Sequence, residues 1–179
     1  RVASAQETLR RAAVRDSLTG LLNHREFYRR LEEEVARSDR EGEPLSVLMI
    51  DLDDYGALVQ RAGEEAGQRV IRHWADVLRS QLRACDLVCR YGADEFLLVL
   101  PETAETQADA ALQRILGVLG EQECEVAGEN VRLSAAAGVA VYPQDGQRVE
   151  ELVAKAATTM YAVKSGGRGS VGFYGAASL

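Results

Sequence analysis

Asp86-Leu87-Val88-Cys89-Arg90-Tyr91-Gly92-Ala93-Asp94-Glu95-Phe96-Leu97-Leu98-Val99-Leu100 is the stretch that decides the fold. Two apolar runs flank Gly92-Ala93-Asp94, so the chain turns back and pairs two strands, Asp86–Tyr91 and Glu95–Leu100, before Pro101 stops the second. Asp94 and Glu95 then stand at a strand end, where side chains reach an open edge.

The same design appears upstream. Leu45 to Leu52 is a short buried strand by pattern, and it closes on carboxylates at Asp51, Asp53 and Asp54. If its strand lies beside the hairpin, Asp51 and Asp94 converge, and paired carboxylates with few adjacent cations suit Mg²⁺. Solvated acidic strand ends are the plainer reading of the same spacing.

Outward from these strands the pattern is helical. Asn23 is an N-cap with Glu26 three residues on, as in a capping box, and Phe27, Leu31 and Val35 follow at spacing four. Gly42 and Pro44 break that helix. Helices are expected around Tyr55–Arg61 and Glu65–Leu82, the second turning Val70, Ile71, Trp74, Val77 and Leu78 inward, then over Glu105–Leu119 and Val149–Lys164. Cys124–Ala127 and Val131–Tyr142 read as strands around Gly128-Glu129-Asn130, and Val171–Tyr174 as a last edge strand. The sum is an α/β domain, a mixed sheet flanked by helices, over residues 16–175. Residues 1–15 read as an N-terminal helix with a thin stripe of Val2, Leu9 and Ala13. That helix is either the end of a stalk from an upstream domain or a frayed terminus, and Arg1 in place of Met suits a piece of a longer chain.

Composition narrows the function. The 21 basic and 28 acidic residues give −7, which argues against a general nucleic-acid binder. Three cysteines, Cys85, Cys89 and Cys124, form no metal or redox pattern and read as small buried hydrophobes in a reducing, cytoplasmic setting. His73 reads as a helix-surface residue. No signal-peptide pattern and no apolar run of about 20 residues is present.

Five blocks in order carry a resemblance. Arg90-Tyr91-Gly92-Ala93-Asp94-Glu95-Phe96 resembles the GGDEF motif of diguanylate cyclases with its second glycine replaced by alanine. Asp16-Ser17-Leu18-Thr19-Gly20-Leu21-Leu22-Asn23 is similar to the family's opening motif, and Ile50-Asp51-Leu52-Asp53 to its metal-bearing strand end. Ala137-Gly138-Val139-Ala140 and Tyr161-Ala162-Val163-Lys164-Ser165-Gly166-Gly167-Arg168 are similar to the later blocks. The resemblance implies a palm-like nucleotidyl cyclase fold and the joining of two GTP into cyclic di-GMP by two domains meeting face to face, as a homodimer. It implies Mg²⁺ held by Asp51, Asp94 and the Leu52 carbonyl, Glu95 as the second acidic residue of the turn, and Lys164 and Arg168 on the triphosphate. Five residues separate Arg83-Ala84-Cys85-Asp86 from Gly92, the spacing of the family's inhibitory site for cyclic di-GMP.

The departures bear on activity. Gly56, Val59 and Gln68 stand where the family usually has Lys, Asn and Asp, and the last two of those read the guanine edge. Unpaired guanine N–H groups cost about 1–3 kcal/mol each. Ala93 is expected to strain a turn that glycine eases, and its Cβ to obstruct a phosphate. His24 replaces a usual Arg. These residues favour a catalytically weak or inactive domain that binds cyclic di-GMP at Arg83 and Asp86. The other readings are an active, product-inhibited cyclase and an interaction domain that binds no nucleotide.

Overall fold

The protein is described here by a computed structural model covering residues 2–176. In chain order the elements are α1 (Val2–Val14), α2 (His24–Glu41), β1 (Leu45–Leu52), α3 (Tyr55–Ala62), α4 (Glu64–Gln81), β2 (Leu87–Arg90), β3 (Glu95–Pro101), α5 (Glu105–Glu121), β4 (Glu123–Val126), β5 (Glu129–Arg132), β6 (Ala135–Tyr142), α6 (Val149–Lys164) and β7 (Val171–Phe173). Five strands form one sheet in the order β2-β3-β1-β6-β7, antiparallel except for the parallel β6–β7 pair. Strands β4 and β5 make a separate ribbon.

Alternation along β1 explains the three layers. Leu48, Ile50 and Leu52 join Phe96, Leu98 and Val139 in a core under α4 and α5. Leu45, Val47 and Met49 join Leu97, Val99 and Ala140 under α2 and α6. All eight β1 residues are buried because both faces are covered. Trp74 of α4 sits edge-on to Phe96 of β3, ring centroids 5.9 Å apart. On the other face α6 lies almost on the backbone of β6. A Cβ at Gly138 would collide with the Ala156 carbonyl and the Met160 amide, so only glycine permits that approach.

The opening turn ties α1 to the sheet. Asp16 Oδ2 accepts from the Thr19 amide (2.9 Å) and hydroxyl (2.7 Å). The Leu22 amide donates to the Val88 carbonyl at 3.2 Å, and Leu22 bridges Cys89 on the outer edge of β2. Asn23 caps α2 by accepting from the Glu26 amide, while its own side-chain amide donates to Ala13 at the end of α1. Only that half of the expected capping box forms, because the Glu26 carboxylate is held by Arg29 and Arg30. Leu9 on α1 is exposed.

Four expectations are corrected. Val131–Tyr142 is two strands: β5 belongs to the ribbon and β6 to the main sheet. Leu133-Ser134 breaks them where the Asp53 amide donates to the Ser134 carbonyl (2.9 Å) and the Ser134 hydroxyl to Asp53 Oδ2 (2.6 Å). The ribbon's turn is Ala127-Gly128, both at positive φ, which is the geometry of a two-residue hairpin. Cys85 is exposed, whereas Cys89 and Cys124 are buried as expected. His73 is half-buried, with Nε2 out of water and unpartnered among the described residues.

Candidate functional site

The sheet register brings the acidic strand ends together. Asp51 of β1 stands opposite Glu95 of β3, and the Leu52 amide donates to the Asp94 carbonyl at 3.1 Å. Residues directly opposite on antiparallel strands share a face. For Asp51 and Glu95 that face is the one covered by α6, and two α6 side chains come down on them. Lys164, the last residue of the helix, places Nζ on Asp51 Oδ1 and within 3.4 Å of the Leu52 carbonyl. The Tyr161 hydroxyl donates to Glu95 Oε1, and that hydrogen bond with burial pushes its pKa up to about 12. Burial raises the Asp94 carboxyl pKa from its ordinary value.

These donors suit a hard divalent cation. Asp51 is only 5% exposed, every donor is oxygen, and an ammonium already rests on two of them. Among the described residues no cluster of three or more His, Cys, Asp or Glu side chains stands close enough to hold a metal, so the Leu52 carbonyl is needed to complete such a set. Arg168 does not share the partner of Lys164. It lies beyond the helix end, exposed, with Nε 3.3 Å from Asp54 Oδ2.

Beside the strand end, α3 and α4 wall a cavity of about 610 Å³. Gly56, Val59, Gln68 and Ala93 all line it. A Cβ at Gly67 would come within 2.7 Å of Val59 Cγ2 and 2.8 Å of the Tyr55 hydroxyl, so the two helices meet tightly behind Val59. At Gly56 the same test meets nothing within 4 Å, and a longer side chain has room there. The strain expected at Ala93 is absent: neither Gly92 nor Ala93 has positive φ. The turn is held instead by Arg90, which donates to the Ala93 carbonyl from Nη2 at 2.9 Å.

A second site lies at the far end of β3. The Arg83 amide donates to Asp86 Oδ2 at 2.7 Å, and its guanidinium donates to Oδ1 from Nη2 at 2.8 Å. The same Nη2 reaches the Pro101 carbonyl (3.0 Å) and Thr103 Oγ1 (3.1 Å). Asp86 is buried by this clasp while half of Arg83 stays in solvent. The Asp86 hydrogen bonds raise the Arg83 pKa further, so the cation is permanent. The pair lines a cavity of about 250 Å³ with Gln107 and Arg114 of α5.

Residues 13–170 match the profile of the diguanylate cyclase GGDEF domain. The chain belongs to the GGDEF family. Response regulator PleD of Caulobacter vibrioides is 35% identical over 161 residues, which is 89% of this chain and 36% of that protein. The chain thus spans little more than a third of that curated relative. The GGDEF domain of TpbB (YfiN) from Pseudomonas aeruginosa superposes with a TM-score of 0.84 at 34% identity, covering 89% of this chain and 94% of that one. A microbial GGDEF domain, solved in a novel interaction mode with cyclic di-GMP, is 30% identical with a TM-score of 0.77, covering 92% and 99%.

The GGDEF domain brings Lys164 onto Asp51 and the Leu52 carbonyl, sets Glu95 opposite Asp51, joins Asp94 to Leu52 only through its backbone, and separately pairs Arg83 with Asp86, while Arg168 stands apart from Lys164. Sequence reasoning missed Glu64, Arg72 and Arg90 on the cavity wall and Thr103 beside Arg83. Glu64, Gln68 and Arg72 follow at spacing four on α4, a periodicity that could have found the first two. Thr103 has no such signal. His24 stacks on Tyr91, ring centroids 4.5 Å apart, next to the turn. No helix of the described residues is long and apolar enough to cross a membrane.

Proposed function

We propose that this GGDEF domain is a cyclic di-GMP-binding module with weak or no cyclase activity. The observation that supports it most is the contrast between its two cavities. In the larger one, Val59 presents only methyl groups and Gln68 a neutral amide where a guanine N–H needs acceptors. At the smaller one, a charged Arg83 with free exposed surface stands over a buried carboxylate. A guanidinium bonds a guanine Hoogsteen edge or a phosphate, and the buried Asp86 carboxylate, engaged by Arg83 through both oxygens, holds that guanidinium in place. The microbial GGDEF domain solved with cyclic di-GMP lends this ligand class further support.

The test is calorimetric titration of the chain with cyclic di-GMP, parent against Arg83→Ala. Parent binding that weakens more than about tenfold in the variant is expected, from loss of a charge-assisted contact. No binding by the parent, or equal binding by both, refutes the reading.

One observation favours turnover as the second reading. Asp51 and the Leu52 carbonyl already engage a cation in Lys164, and this pair of oxygens supports a reading in which Mg²⁺ takes the place of that ammonium. When bound, Mg²⁺ would polarise an α-phosphate and favour ionisation of an attacking hydroxyl. Glu95 and Tyr161 would hold the α6 end against the turn, and Lys164 would be freed to contact phosphate. Cyclic di-GMP formed from GTP by concentrated Arg83→Ala protein would replace the receptor reading with this one.

A further inference from the structure

Between β3 and α5 the chain makes a bend that its own residues do not favour. Glu102 sits in the left-handed region at φ 52, which is uncommon for a residue other than glycine. Groups from elsewhere in the fold hold the bend. Arg37 of α2 pairs with the Glu102 carboxylate at 2.9 Å. The Thr103 amide donates to the Pro44 carbonyl (3.1 Å), and the Ser46 hydroxyl, buried in β1, donates to the Thr103 carbonyl (2.8 Å). Thr103 is itself buried, and its hydroxyl donates to the Pro101 carbonyl at 2.8 Å. A hydroxyl has one hydrogen, so only lone pairs remain on Thr103 Oγ1. They face Arg83 Nη2 at 3.1 Å.

The Arg83 guanidinium distributes its N–H groups unevenly. Nε donates to the two oxygens of Asp86 at 3.1 and 3.3 Å, and Nη2 donates to Oδ1 at 2.8 Å. The second hydrogen of Nη2 is shared by the Pro101 carbonyl (3.0 Å) and Thr103 Oγ1 (3.1 Å). Among the described residues nothing accepts from Nη1. The side-by-side fork of Nε and Nη2 is thus taken by Asp86, and a ligand meets the two N–H groups of a single nitrogen. A strained backbone over-determined by its surroundings points to a role for the residues it fixes.

We propose that Thr103 is a positioning residue for ligand binding at Arg83, fixing Nη2 so that Nη1 presents its two N–H groups to the ligand. The proposal rests on the reading of Arg83 and Asp86 as the cyclic di-GMP site. In that ligand the acceptors for Nη1 are phosphate oxygens or guanine O6 and N7. Asp86 decides where the guanidinium lies, because it holds both Nε and Nη2. Thr103 acts on the opposite side of Nη2, and without its hydroxyl the Pro101 carbonyl is left alone there. A side chain fixed before binding has less freedom to lose when the ligand arrives.

The experiment compares the parent chain with Thr103→Val, which keeps the branched shape without the hydroxyl, and Thr103→Ser, which keeps the hydroxyl. Scanning calorimetry checks that both variants are folded. In calorimetric titration with cyclic di-GMP, Thr103→Val should bind about fivefold more weakly, and Thr103→Ser within about twofold of the parent. A second readout needs no ligand: nitrogen-15 NMR of the guanidinium, with Arg83 assigned by loss of its signals in Arg83→Lys. Separate Nη1 and Nη2 signals are expected in the parent and Thr103→Ser, merging in Thr103→Val as the group rotates more freely. Thr103→Val binding as well as the parent or more tightly, or an equal loss in both variants, overturns the proposal. So do Nη signals that are already merged in the parent or the same in all three proteins. A parent that binds no cyclic di-GMP defeats the receptor reading alone, and the Nη signals then decide the role of Thr103.

Discussion

Val59→Asn with Gln68→Asp should restore guanine recognition to the larger cavity. Both residues line that wall, Val59 half-buried on α3 and Gln68 exposed on α4. Asparagine is no larger than valine, so it does not overpack the contact of Val59 and Tyr55 with Gly67, although its amide replaces a packed methyl, and a Tm measurement checks that the double variant is folded. Each restored polar contact to a guanine N–H is worth about 1–3 kcal/mol, and the exposure of Gln68 argues for the lower half of that range. Taking about 1.5 kcal/mol each gives about 3 kcal/mol, or roughly a hundredfold in Kd. The assay is calorimetric titration with Mg²⁺–GTP, with Mg²⁺–ATP as the control that shares phosphates but not the guanine edge. GTP affinity should rise while ATP affinity stays put. An unchanged GTP affinity in a folded double variant refutes the claim that these two positions disable the cavity. An equal gain for ATP refutes the claim that they read the base.

Gly138→Ala should lower Tm by about 4–8 °C, from about 2 kcal/mol of overpacking against the α6 backbone. An unchanged Tm by scanning calorimetry would mean that α6 does not approach β6 so closely. Thiol labelling followed by mass spectrometry should modify Cys85 quickly and Cys89 and Cys124 slowly, since burial pushes the Cys89 thiol to about 12 and raises that of Cys124. Cyclic di-GMP should slow the Cys85 reaction, because its sulfur lies 3.9 Å from Asp86 Oδ1. Labelling at one rate with and without ligand would place the ligand elsewhere.

Much of the architecture was legible because local signals agreed with the tertiary result. The turn residues Gly92-Ala93-Asp94 and the 3.6-residue stripe of Val149–Lys164 both predict elements close to those found. Failure came where a distant contact decided the outcome. Leu133-Ser134 carries no Gly or Pro, and only Asp53, 81 residues away, breaks the run there. Within the site, the acidic strand ends marked Asp51 and the hairpin turn, but the residue opposite Asp51 is Glu95, and Asp94 meets Leu52 through its backbone. The cation on Asp51 was not legible from spacing, because Lys164 reaches Asp51 across 113 residues of sequence.

The borders of the five-stranded sheet limit how this domain joins anything else. At one border the opening turn lies along β2, with Leu22 occupying the Val88 carbonyl. At the other, β7 offers only three residues before the Tyr174 amide bonds back to Val139. A partner strand therefore finds no long row of free amides and carbonyls to extend. Strand addition to this sheet is thereby opposed, and among the described residues the open strand edges left for it are those of the short β4–β5 ribbon.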